Sequence, residues 1–143
     1  MPETSPITIE TKVKAPVARV WEYWSAPEHI TKWNNASSDW HTPTATNDLR
    51  AGGAFTARME AKDGSAGFDF GGTYTKVVKY KQIDYTMGDG RNVRITFDEN
   101  DGLTHLTETF DPESENSRDM QQQGWQSILE NFRKYAETHE KKE

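Results

Sequence analysis

Cysteine is absent from this 143-residue chain, which excludes a disulfide scaffold, thiolate zinc ligands and a cysteine nucleophile. Apolar residues are scarce, at 33% of the sequence with a mean hydropathy of −0.95. Nowhere do about 18 of them run together, so no segment reads as a membrane-spanning helix and membrane insertion is not expected. A basic excess is missing as well. Seventeen Lys and Arg stand against 23 Asp and Glu, a net charge of −6, which leaves no field to draw nucleic acid or an anionic membrane surface. The opening residues have neither the charged nor the apolar region of a secretory leader, so the chain reads as cytoplasmic. Its four histidines, His29, His41, His105 and His139, show no metal-ligand spacing and read as surface residues, with no metal and no cofactor expected. Nucleophile elbow, phosphate loop and a convincing pair of carboxylates are likewise missing, which ranks catalysis below binding.

What is abundant is aromatic: 5 Trp, 5 Tyr and 6 Phe, so a few large rings must build the interior. The length suits one domain, residues 1–143, able to bury its own core without metal or disulfide. The organising segment is Asn116 to His139. There Met120, Trp125, Ile128, Leu129, Phe132, Tyr135 and Ala136 recur at steps of three and four, the apolar stripe of one long helix. Asn116 or Ser117 can cap it, and Asp119 sits in its first turn. At 1.5 Å per residue the helix runs roughly 35 Å, about the width of six strands. Gly124 in its interior marks either a close approach by a backbone or ligand, or a tolerated glycine.

Ahead of that helix, Ile7, Ile9, Thr11 and Val13 alternate with polar residues as a half-buried strand does. Pro16 opens a short helix carrying Val17, Val20, Trp21 and Trp24, and Pro27 opens a second carrying Ile30 and Trp33. Asn34 to Asn47 is polar and turn-rich and reads as a surface loop. Alternation then marks strands at Phe55 to Met59, Phe68 to Tyr74, Gln82 to Met87, Val93 to Phe97 and Leu106 to Phe110, joined by Asp-Gly and Asn-Asp-Gly turns. Glycines within the second of these mark bulges or bends. The fold class is therefore α+β: a curved six-stranded antiparallel sheet wrapped around the C-terminal helix, with two short helices between strands one and two.

Ala15-Pro16-Val17 through Val20-Trp21, Trp24, Pro27-Glu28-His29-Ile30 and Lys32-Trp33, with Thr107-Glu108-Thr109-Phe110 and Gln123-Gly124-Trp125 followed by Ile128, Leu129 and Phe132, resemble the family of activators of heat-shock-protein-ninety ATPase. That family sits within the START-like, or SRPBCC, helix-grip superfamily. The resemblance covers nearly the whole chain. It implies a sheet gripping the last helix, a cavity between them that takes hydrophobic small molecules, and, as an alternative, a chaperone or other protein partner in a stress response.

Candidate residues for a ligand-binding cavity are Trp33, Trp40, Met59, Phe68, Phe70, Tyr74, Tyr85, Glu108, Trp125 and Phe132, which form either a cavity wall or a filled core. Strand parity puts Glu108 with Leu106 and Phe110, facing the interior. There it binds a polar ligand group or, with His41, serves as acid or base in a cyclase- or hydrolase-type enzyme. Otherwise a bulge turns it outward, or it pairs with Arg58 or another strand cation. His41 and Asp39 either cap the cavity mouth or are solvated, with Trp40 as packing anchor. Monomer and homodimer both remain open.

Overall fold

Alternation in the first strand is fully expressed: β1 (Ile7–Val13) buries Ile7, Ile9, Thr11 and Val13 and exposes the residues between them. The computed structural model describes residues 5–34 and 38–138. After β1 come helices α1 (Val17–Ser25) and α2 (Pro27–Trp33). Strands β2 (Trp40–Asn47), β3 (Ala54–Ala61), β4 (Gly67–Val78), β5 (Gln82–Met87), β6 (Asn92–Asn100) and β7 (Leu103–Phe110) follow, and α3 (Arg118–Thr138) ends the described chain. The strands form one curled antiparallel sheet in the order β1-β7-β6-β5-β4-β3-β2.

The sheet thus has seven strands, not six, because the segment read as a surface loop contains β2. Its sequence hides it for a physical reason. As an edge strand β2 pairs only with β3, its register shifts between His41 and Thr44, and Pro43 falls within that shift, where no ladder N–H is required. Few of its side chains are buried, so no period-two signal develops.

Pro16 occupies the N-cap of α1 and not its first helical position, and the Val17 N–H donates to the Glu99 carboxylate at 2.8 Å. A carboxylate from β6 therefore does the capping that Pro16 cannot. Pro27 does open α2. In α3 the Ser117 hydroxyl accepts from the Met120 N–H at 3.1 Å, the bond of an N-cap. His139, the expected last residue, lies outside the described residues. Leu129, Phe132 and Ala136 are buried on α3, with Trp125, Ile128 and Tyr135 half-buried. Met120 is 62% exposed and leaves the stripe, its place taken by the buried Gln121.

One end of the sheet holds the helix. α3 runs along β1, with Gln126 Nε2 donating to the Glu10 carbonyl at 3.1 Å and the Lys14 N–H donating to Glu137 at 3.0 Å. At the other end α2 lies against β2. His29 joins α2 to α3 and does not belong to the surface: its side chain is 14% exposed, and its Nδ1 lies 2.5 Å from the Tyr135 hydroxyl. Between the ends the sheet must curl. Gly72 permits this, since a Cβ there would stand 2.5 Å from the Thr86 carbonyl oxygen. A bulge between Tyr74 and Lys76 adds to the bend.

Candidate ligand-binding site

Because α3 leans towards β1, it does not pack along the half of the sheet formed by β3, β4 and β5. The space left is a cavity of about 400 Å³, within the size range of small-molecule sites. Alternation aims Met59 from β3, Phe70 and Tyr74 from β4 and Tyr85 from β5 at it; α2 contributes Trp33 and α3 contributes Trp125. Trp40, the first residue of β2, points inward and packs on Phe68 with ring centroids 5.8 Å apart. Phe68 is itself 48% exposed, so this pair stands at the opening. Trp125 lies parallel to Phe110, centroids 3.9 Å apart and planes 8° apart, and edge-on to Phe70 at 6.1 Å. The helix is in this way tied to both β7 and β4 across the void.

Nine of the ten expected wall residues therefore border the cavity. The exception is Phe132, fully buried beneath it, with its ring edge-on to Trp24 and Trp33 at 4.9 Å each. It supports the wall and is not part of it. His41 does not take part either: the residue after the inward Trp40 must point outward, and its ring stands 3.9 Å from Glu60 on the exposed face. Asp39 is exposed as well. Gly124 borders the cavity with no backbone near, since a Cβ there would meet no atom within 4 Å.

The polar handles of the wall are mostly satisfied within the protein. The Trp33 indole N–H donates to the Tyr23 carbonyl at 2.9 Å, the Tyr74 hydroxyl to Asn47 Oδ1 at 2.6 Å, and Asn47 in turn to the Ser25 carbonyl at 2.6 Å. Gln121 spends its whole amide on the loop before α3. Its Nε2 donates to the carbonyls of Glu113 and Asn116 at 3.0 and 2.9 Å, while its Oε1 accepts from the Glu113 N–H at 2.8 Å. Gln121→Leu should cost about 1–3 kcal/mol, because the loop loses three part-buried hydrogen bonds. Urea unfolding would measure it, and an unchanged midpoint would show that the loop finds other partners.

Glu108 and Tyr85 are the exceptions, each 6% exposed and neither hydrogen-bonded to any described residue. Glu108 has not been turned outward by a bulge, and Arg58 is engaged elsewhere, with Glu60 and Asp69. Burial lifts the Glu108 carboxyl to about 8, so near neutral pH most of it carries its proton. Burial also raises the Tyr85 hydroxyl, and a charge on Glu108 would raise it further. Arg91 and Glu113 at one end, and Thr46, Thr56 and Asn34 elsewhere on the wall, were not foreseen. The Asp89-Gly90-Arg91 turn and the polar start of the helix carry no periodicity that would have revealed them. Among the described residues no group of three potential metal ligands occurs, and no described helix is long and apolar enough to cross a membrane.

A curled antiparallel sheet closed over a C-terminal helix, with an aromatic cavity between, is the helix-grip architecture. Residues 14–137 match the family described as activator of Hsp90 ATPase homolog 1-like protein, and the chain belongs to that family. It is similar to the solution structure of an AHSA1-like protein from Aeromonas hydrophila, 43% identical with a TM-score of 0.87 over 96% of this chain and 99% of the other. A solution structure from Cytophaga hutchinsonii is 51% identical, with a TM-score of 0.81 over 96% and 94%. A crystal structure from Nitrosomonas europaea shares the fold at 18% identity, with a TM-score of 0.82 over 98% and 99%. No curated protein matches the sequence.

Proposed function

We propose that this protein binds a small, mostly apolar molecule in the cavity between α3 and the sheet. One observation carries the reading: large aromatic side chains from four strands and three helices surround about 400 Å³ of open space instead of closing upon one another. Such a void forfeits dispersion contacts along its whole lining. A ligand that fills it restores them and removes apolar surface from water.

Gly124 offers a clean test. In Gly124→Leu the new side chain enters the cavity without a clash at its Cβ, and replacing glycine within a helix should itself add about 0.5–1 kcal/mol of stability. The expected result is a variant at least as stable as the parent that has lost affinity for naphthalene-sized hydrocarbons, measured by calorimetry and Trp fluorescence. Parental affinity in a well-folded variant would place binding elsewhere. The family description also carries a second possibility, a protein-interaction module acting on a chaperone ATPase. Titrating the protein into a chaperone ATPase assay discriminates between them, since a pure ligand carrier leaves that rate unchanged.

A further inference from the structure

We propose that Glu108 and Tyr85 together form a hydrogen-bond donor pair that selects, among apolar molecules entering the cavity, those carrying a carbonyl oxygen. This rests on the cavity reading above and narrows it to a ligand class. A buried polar group without a partner is costly, and native interiors contain few of them. Here two side chains without a partner among the described residues open onto one cavity wall. Both are more than nine-tenths buried and border the same cavity, while the neighbouring Trp33, Tyr74 and Gln121 have found partners within the protein.

Register places the pair on the same face. Tyr85 is opposite Val93 and Glu108 opposite Ile95, so they stand two strands apart and two residues out of step. Both side chains border the cavity, and the Glu108 charge is felt at the Tyr85 hydroxyl. Among the described residues no cation is paired with Glu108. The titratable and charged groups facing the cavity are Tyr74, Tyr85, Arg91, Glu108 and Glu113. Of these, Arg91 Nε donates to Asp89 at 2.8 Å, and Glu113 accepts from the backbone and side chain of Asn116. Burial is what acts on the Glu108 carboxyl, and it favours the neutral, donating form. The Tyr85 hydroxyl donates by its nature. Two donors with no acceptor of their own match the two lone pairs of a ketone or ester oxygen. An apolar acid would bring a negative charge to a carboxyl, and an amine would require that carboxyl to give up its proton first.

The test uses three probes of one shape, 2-acetylnaphthalene, 2-ethylnaphthalene and 1-(2-naphthyl)ethylamine, measured by calorimetry on the whole protein. The ketone should bind about tenfold more tightly than the hydrocarbon at pH 6.5, the effect of one to two hydrogen bonds. That ratio should shrink towards unity by pH 9.5 as Glu108 ionises. In Tyr85→Phe the ratio should drop severalfold at pH 6.5. In Glu108→Gln, whose amide donates without titrating, it should persist at pH 9.5. A ketone no better than the hydrocarbon overturns the inference while leaving the cavity reading intact, and so does an amine that binds most tightly of the three. If none of the probes binds, the cavity reading itself falls and this inference with it.

Discussion

Replacing Phe132 with alanine should lower the unfolding free energy by about 3–5 kcal/mol, a large part of the roughly 5–15 kcal/mol available to a domain of this size. Phe132 has no exposed surface, and its ring stands edge-on against both Trp24 and Trp33, so truncation leaves a cavity where α1, α2 and α3 meet. The surrounding rings are too large to collapse into the space. Trp125→Ala provides the comparison. Trp125 is larger, but it is only half-buried and already borders open space. Fewer contacts are lost with it, and the expected cost is nearer 1–2 kcal/mol, accompanied by a strong change in ligand affinity. Chemical denaturation of the two variants side by side checks the order. Should Trp125→Ala prove the more damaging, the cavity would have to be filled in solution and the helix packed more tightly than described.

Raising the pH should destabilise the protein through one carboxyl. The unfolded chain releases the Glu108 proton near its ordinary value of 4.5, whereas the folded chain holds it to about 8. Between those values the native state binds more protons, so stability falls as pH rises. The contribution is fully present below about pH 4.5 and is lost on passing through pH 8. Its total is of the order of 5 kcal/mol, since each pKa unit is worth about 1.4 kcal/mol. Glu108→Gln keeps the size and cannot ionise. The stability difference between parent and variant should therefore shift by several kcal/mol in favour of the variant from pH 4.5 to pH 8.5. Other carboxylates titrate alike in both proteins and cancel. Parallel pH profiles for parent and variant would mean that Glu108 is solvated in the folded protein.

The sequence by itself determined everything that depends on local periodicity. The α3 stripe, the alternation of β1, β5, β6 and β7 and the turns at Asp89-Gly90 and Asp101-Gly102 follow from which residues recur at steps of two or of three and four. Even the inward parity of Glu108 was legible, because β7 pairs with both neighbours without a register shift. Only the tertiary structure decided the rest. β2 is a strand because β3 offers it an edge, and its own Pro43 and exposed threonines give no signal of that. His41 faces outward because Trp40 was drawn inward onto Phe68. Phe132 and Trp125 share one stripe of α3, yet one is sealed in and the other borders a void, because α3 leans on β1 at one end of the sheet and the curl of β3 and β4 leaves space at the other. Periodicity tells which face of an element is turned inward. How far away the opposing surface lies depends on the curvature of the whole sheet, which no local pattern encodes.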